Sequence, residues 1–264
     1  MGVDESTRWV GSMPEVYERC LVPAVFRPFA RELASRATGD RVLEIAAGTG
    51  VVTAELLAAL PSVDLTATDL NPAMVELGAS RVPGASWQAA DAAELPFADA
   101  SFDLVVCGFG VMFLPDRPAA YAEIARVLAR SGCFLFTTWD TLSTHGFADA
   151  LARALGQVFP GDVPAFLTAV PHGYTDPERI TADLRAGGFG GVDIDTVTLS
   201  GRAEEPAQIA VGFGTGSPLR AELARRGDLD DVVARVAAAM TADLGDGPVT
   251  ASMTAHVVEA ARRR

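Results

Sequence analysis

A chain of 264 residues, 49% hydrophobic and 21% charged, has the length and composition of one large globular α/β domain with an insertion, or of two small domains. Its formal net charge of -13 argues against nucleic acid as a partner, because such binding rests on neutralised phosphates, and the terminal Arg262-Arg263-Arg264 is too short a run to reverse the balance. The longest apolar run, Leu104 to Leu114, is too short to cross a bilayer, so no membrane partner is expected.

Met1-Gly2-Val3-Asp4-Glu5-Ser6 carries acidic residues where a secretory leader is positive, and no apolar stretch follows, so the expected location is the cytoplasm. Met1-Gly2 with Ser6 also fits the myristoylation pattern, but over so few positions that chance accounts for it. Cys20, Cys107 and Cys133 are odd in number and lack metal-ligand spacing; they are expected to be buried thiols, and no metal is expected.

Pro14 to Ala37 reads as helical, with Val16, Tyr17, Leu21, Val25, Phe26, Phe29 and Leu33 recurring three and four apart, and with Pro23 and Pro28 dividing it into shorter pieces. Arg41 to Thr53 then holds three signals. Val42, Leu43, Ile45 and Ala46 form the apolar run of a central parallel strand. Gly48 and Gly50 allow a tight turn in which main-chain N–H groups approach a ligand with no Cβ in the way. Val51, Val52, Leu56, Leu57 and Leu60 follow at helical spacing, and Pro61 ends the helix. Glu44 interrupts the strand; a carboxylate is costly in a dry core, so it is expected to face a polar ligand or the backbone of the turn. A strand, a glycine turn and a helix in this order make a nucleotide-binding unit with the ligand off the carboxyl end of the strand. The dinucleotide fingerprint would need a third glycine where Thr53 stands.

Val63 to Asp69 alternates and ends on a carboxylate, as a second strand would, and Asn71-Pro72 opens the next helix with a cap and a first-turn proline. Asp69 lies about twenty residues past Gly50, the interval at which an acidic residue accepts hydrogen bonds from ribose hydroxyls. That placement fits an adenosine-bearing methyl donor and NAD alike. Ala85 to Cys107 reads as a third strand, an acidic loop around Asp91 and a fourth strand. Pro115-Asp116-Arg117-Pro118 opens a helix with Tyr121, Ile124, Val127 and Leu128 on one face, and Ser131-Gly132 turns the chain into a fifth strand, Cys133 to Trp139.

Glu44-x-x-x-Gly48-x-Gly50, Asp69 and the Ala85 to Cys107 segment together resemble, in order, the motifs of class I S-adenosylmethionine-dependent methyltransferases; the resemblance covers residues 36 to 140. It implies S-adenosylmethionine as cofactor, held by Glu44, Ala46, Gly48, Gly50, Asp69, Leu70, Met74, Asp91, Ala92, Cys107 and Met112. Asp91 would accept from the exocyclic amine of adenine while the Ala92 N–H donates to a ring nitrogen; a turn or cap role for Asp91 is the alternative. In such enzymes the N-terminal helices fold over the cofactor and an aromatic at the position of Tyr17 reaches it, with amphipathic packing as the other reading of Tyr17. The run from Phe102 to Trp139 resembles the small-molecule branch. Arg130-Ser131-Gly132 and Cys107-Gly108-Phe109 depart from the Pro-Gly-Gly and glutamine-bearing patterns of relatives, which leaves the substrate open.

Beyond Asp140, Phe147, Leu151, Leu155 and Phe159 mark an amphipathic helix, a Pro/Gly-rich stretch runs to His172-Gly173-Tyr174, and Asp176-Pro177 starts a helix that closes at Gly187-Gly188. Val192 to Leu199 alternates as a sixth strand, and about Val249 to Glu259 forms the last. The expected architecture is a single domain over residues 1–264, with an N-terminal helical cover (1–37), a cofactor-binding core (38–140), a substrate-side segment with the sixth strand (141–202), an inserted helical cap over the active site (203–246), and the last strand and tail (247–264). Its fold class is α/β, a doubly wound, mostly parallel seven-stranded sheet of the Rossmann-like methyltransferase type.

Methyl transfer from an activated sulfonium needs alignment, and a base only where the nucleophile must lose a proton. His145, at the rim after the fifth strand, is the candidate base. His172 is a candidate substrate contact from the loop opposite, and His256, alternating within the last strand, is expected to be structural. Phe109 and Trp139, with Met112, Phe113, Phe147 and Phe166, are candidates either for a covered pocket that takes a small, partly apolar methyl acceptor or for core packing. Methyl transfer to that small molecule is the expected reaction. The alternatives are a cofactor-dependent pericyclisation or decarboxylation, a nicotinamide oxidoreductase and a non-catalytic partner subunit.

Overall fold

The computed structural model describes residues 11–263. Met1 to Ser6, on which the leader and lipidation readings rest, and Arg264 lie outside the described residues. In chain order these form α1 (Met13–Cys20), α2 (Arg27–Arg36), β1 (Arg41–Glu44), α3 (Val51–Ala59), β2 (Asp64–Asp69), α4 (Pro72–Arg81), β3 (Ser86–Ala89), β4 (Phe102–Gly108), α5 (Arg117–Val127), β5 (Leu128–Trp139), α6 (Gly146–Val158), α7 (Phe166–Ala169), α8 (Pro177–Ala186), β6 (Phe189–Ala203), α9 (Pro206–Gly216), α10 (Leu219–Ala224), α11 (Leu229–Leu244) and β7 (Val249–Arg262).

The chain divides into two compact units. The sheet unit comprises Phe29–Asp140, Tyr174–Val197 and residues 255–263; the helical unit comprises residues 11–28, Thr141–Gly173 and Thr198–Thr254. The division follows the strands rather than continuous segments, since β6 and β7 each contribute to both units.

The sheet has seven strands in the order β3-β2-β1-β4-β5-β7-β6. β1 pairs parallel with β2 and β4, β2 with β3, and β4 with β5, whereas β5 and β7 run antiparallel. This is the doubly wound, mostly parallel architecture expected of the sequence. Strands buried on both faces must be apolar on both. On one face Val42, Leu65, Leu104 and Val106 pack with Leu33 of α2 and Leu56 of α3. On the other, Tyr121 of α5 meets Phe134 and Phe136, and Phe134 meets Phe189. Full burial of each such side chain is worth roughly 1.5–3 kcal/mol. Because β1, β2, β4 and β5 are parallel, their carboxyl ends, Glu44, Asp69, Gly108 and Trp139, share one edge of the sheet.

Residues 14–37 form helical pieces, as their prolines imply: a π-helical turn, Val22–Phe26, lies between α1 and α2, where Pro23 supplies no N–H to the ladder. Other local expectations are corrected. β1 ends at Glu44, not Ala46, because Ala46 turns to a positive φ of 50°. Ser131-Gly132 is no turn: it lies within β5, which starts directly after α5 and pairs with β4 through a register irregularity between Phe102 and Leu104. β6 and β7 are longer than their alternating cores. Cys133, expected buried, is half-buried.

In the helical unit α9 packs against α1 and α11, and α11 against α6. Gln208 Nε2 donates to the Cys20 carbonyl at 2.8 Å, and Arg153 of α6 reaches Asp243 of α11 at 2.6 Å. No described helix is long and apolar enough to cross a membrane.

Candidate active site

The turn after β1 takes the backbone its glycines permit: Gly48 has φ 56° and Gly50 φ 90°. A Cβ on Gly48 would meet nothing within 4 Å, whereas one on Gly50 would lie 3.0 Å from Val82 Cγ2 and 3.2 Å from the Trp87 indole. The turn is fastened to β2, with Ala47 N–H donating to the Thr68 carbonyl at 2.9 Å and Gly48 N–H to Asp69 Oδ2 at 2.9 Å. Asp69 Oδ1 accepts from Asn71 N–H at 2.8 Å. Burial raises the Asp69 carboxyl above the usual carboxylate range, against these two hydrogen bonds.

Glu44 is 1% exposed, and its Oε2 accepts from the Thr53 hydroxyl at 2.6 Å. Burial, reinforced by the neighbouring Asp69, pushes its carboxyl up to about 8 despite that hydrogen bond. Past Asp69, Leu70 is 56% exposed and Met74 of α4 is buried. Asp91 is exposed and Ala92 half-buried; Asp91 Oδ1 accepts from Ala93 N–H at 2.9 Å, a local turn.

Beyond β4, a Cβ on Gly110 would come 2.5 Å from Ala46 Cβ and 2.7 Å from Cys107 Sγ, so glycine is what lets the β4 turn approach the β1 turn. The Cys107 thiol is buried and pushed up to about 12, which keeps it protonated. Phe109 adopts φ 55°, donates its N–H to Thr137 Oγ1 at 3.2 Å, and stacks on Trp139 with centroids 3.8 Å apart. Phe29 meets both rings edge-on. Met112, buried beside them in sequence, lies in a turn whose carbonyls, Val111 and Met112, accept from Arg117 Nε and Nη2. The sheet unit thus brings Glu44, Gly48, Asp69, Cys107 and Ala46 into one cluster and Phe109 and Trp139 into another.

Tyr17, His145 and His172 belong to the helical unit, as do Phe147 and Phe166. Tyr17 packs on Phe26 at 5.0 Å. His145, 1% exposed, caps α6: its Nδ1 accepts from Ala148 N–H at 3.2 Å, which places the ring proton on Nε2. Its ring meets His172 edge-on at 5.6 Å, and burial, with His172 second, pushes it down to about 3. His256 is buried in the sheet unit, with Nδ1 3.1 Å from the Thr196 hydroxyl and Nε2 3.0 Å from the Thr175 carbonyl.

The methyltransferase-domain family matches residues 42–132, from β1 into β5. A demethylmenaquinone methyltransferase of Corynebacterium urealyticum is 32% identical over 185 residues, 66% of this chain and 78% of that protein. The chain belongs to the S-adenosylmethionine-dependent methyltransferases. An uncharacterized protein of Mycobacterium tuberculosis is 31% identical over 159 residues, which cover 59% of this chain and little more than half, 57%, of that relative's length. A Thermotoga maritima methyltransferase structure, described as a possible histamine N-methyltransferase, shares the fold at TM-score 0.58 and 16% identity over 94% of this chain and 95% of its own.

Four residues that hold the carboxyl edge of the sheet together give little sign of that role in the sequence. Thr53 served there only to exclude a dinucleotide fingerprint, yet it is the hydrogen-bond partner of Glu44. Gly110 and Thr137 fix the β4 turn. Arg126 clamps the loop after Asp91, donating to the carbonyls of Leu95 at 3.0 Å and Phe97 at 2.8 Å. Only Arg126 left a trace, its three-residue spacing from Glu123, with which it pairs at 2.7 Å.

Proposed function

We propose that this methyltransferase moves the methyl group of S-adenosylmethionine to a small, partly apolar, ring-bearing acceptor by in-line displacement. The observation that carries the reading is the β1 turn. Open space stands where a Gly48 side chain would project, and Gly48 N–H is fixed on Asp69. The carboxyl of Glu44 is buried with no ion pair among the described residues. That set suits an adenosine-bearing cation: a buried carboxyl without a partner cation among the described residues, a strand-end carboxyl and a turn without side chains.

When bound, the cofactor supplies a methyl group already activated on positive sulfur. The chain holds and aligns. Asp69 keeps lone pairs beyond its two backbone bonds to accept ribose hydroxyls, and Leu70 offers an exposed apolar side chain to the adenine face. The second oxygen of Asp91 and the Ala92 N–H read the adenine edge, while Ala46, Gly50, Met74, Cys107 and Met112 shape the floor. Phe109 and Trp139, 8% and 4% exposed, form a rigid stacked pair whose edge would wall the acceptor's pocket. No base is assigned to His145, because its acceptor nitrogen is occupied by the helix cap.

The Corynebacterium relative is named for demethylmenaquinone, and the reduced, electron-rich quinol form of such a ring is the kind of nucleophilic acceptor that would stack against this pair. The reading is tested by incubating the protein with S-adenosylmethionine and a panel of quinols and phenols, following S-adenosylhomocysteine and product mass. A gain of one methyl is expected. A product of unchanged mass assigns a non-methylating reaction, and failure to bind either sulfur nucleotide overturns the reading.

A further inference from the structure

Glu44 ends β1 at the core of the sheet, 1% exposed, and makes no ion pair among the described residues. The chain has no lysine, and no described arginine or histidine pairs with Glu44. α3 presents the Thr53 hydroxyl to Oε2 at 2.6 Å; the titratable groups that face it are Asp69 from the end of β2 and the Cys107 thiol from β4. A carboxylate in this position is penalised by burial and by the like charge of Asp69, and a proton removes both costs.

Resting on the cofactor reading above, we propose that Glu44 holds a proton in the free protein and releases it when a cation is seated at the β1 turn, so that binding of an ammonium- or sulfonium-bearing nucleotide expels one proton. Desolvation keeps the free carboxyl protonated at neutral pH. A positive charge within about 4–6 Å lowers a carboxyl by about 1–3 pKa units, enough to ionise it at that pH. Glu44 then distinguishes ligands by charge. S-adenosylmethionine and S-adenosylhomocysteine, which carry an ammonium group, draw the proton off, whereas adenosine, which carries no cation, leaves it in place.

The experiment is calorimetric titration near pH 7 in phosphate and in Tris, whose ionisation enthalpies differ, using S-adenosylmethionine, S-adenosylhomocysteine and adenosine. The expected result is a buffer-dependent heat for the two charged ligands corresponding to release of up to about one proton, none for adenosine, and none for any ligand in Glu44→Gln. Affinity for the charged ligands should rise by up to about tenfold per pH unit below about pH 8 and level off above it. Equal heats in both buffers with binding intact overturn the inference and leave the cofactor reading standing. Release that persists in Glu44→Gln assigns the proton to Asp69 and also overturns it, and absence of all binding overturns both readings. Should Glu44→Gln not fold, infrared difference spectra of the wild-type protein serve: loss of a protonated-carboxyl band on adding S-adenosylhomocysteine supports the inference, and an unchanged band overturns it.

Discussion

Gly48 N–H and Asp69 Oδ2 lie 2.9 Å apart, so that the carboxylate ending β2 holds the glycine turn that follows β1. Its other oxygen holds Asn71 N–H at 2.8 Å. Asp69→Ala strands both donors, at a cost of roughly 1–3 kcal/mol for each that stays buried. The expected outcome is a lower melting temperature together with loss of S-adenosylmethionine and S-adenosylhomocysteine binding by calorimetry, with NADH giving no heat in either protein. Binding of unchanged strength in the variant would remove Asp69 from the site.

His145 makes a prediction about acid. Its folded-state pKa is depressed from the ordinary 6.5 to about 3, so the unfolded chain takes up the proton more readily than the folded one. The contribution of the neutral ring is therefore complete above about pH 6.5 and is lost as pH falls toward about 3. His145→Asn keeps a capping acceptor and removes the titration, and it should flatten the acid limb of melting temperature against pH. His145→Ala should cost about 1 kcal/mol more through the lost cap. Turnover near neutral pH should survive in the asparagine variant; its abolition in a folded protein would restore His145 as a base.

How far these features could be read from the sequence depended on whether one residue type carried the constraint. Gly48 and Gly50 announced a positive-φ turn because glycine is the residue that adopts it readily, and the alternation ending at Asp69 marked a strand end. Ala46 and Phe109 adopt the same backbone region without any local sign, since tertiary packing imposes it. Ser131-Gly132 carried a turn signal that pairing between β4 and β5 overrode. A histidine after a strand end reads as a base at a rim, whereas the capping role of His145 depends on where α6 begins, at Gly146, which no residue type in the sequence marks. The partners of Glu44 and Phe109, Thr53 and Thr137, lie on other elements, beyond the reach of periodicity.

Gly110 and Gly156 form a matched pair of tests. A Cβ on Gly110 would sit 2.5 Å from Ala46 Cβ, forcing the β1 and β4 turns apart, whereas one on Gly156 in α6 would meet nothing within 4 Å. Gly110→Ala should destabilise by roughly 1–3 kcal/mol and weaken S-adenosylhomocysteine binding. Gly156→Ala should stabilise by about 0.5–1 kcal/mol with no effect on binding, because alanine is the better helix former. Chemical denaturation and calorimetry on both variants check the contrast, and a Gly110→Ala protein that matches wild type in both would show that the turns do not depend on this close approach.

Phe109 is held in a conformation that costs a non-glycine residue roughly 1–3 kcal/mol, and what holds it is the Thr137 hydroxyl at its N–H and the Trp139 ring at 3.8 Å. If that arrangement exists to present an aromatic surface to the acceptor, loosening it should separate the two substrates. Phe109→Leu and Trp139→Leu should each raise the acceptor KM by about tenfold while leaving S-adenosylhomocysteine affinity within about twofold, since a packed aromatic pair is worth about 0.5–1.5 kcal/mol beyond its burial. The double variant should be less damaging than the sum of the single ones, because either substitution alone already breaks the stack. Thr137→Val, which removes the hydroxyl acceptor and touches neither ring, should move the acceptor KM in the same direction through Phe109. Equal losses of acceptor and cofactor affinity across the set would mean that the pair serves the core alone, and the acceptor would then have to be sought against other side chains.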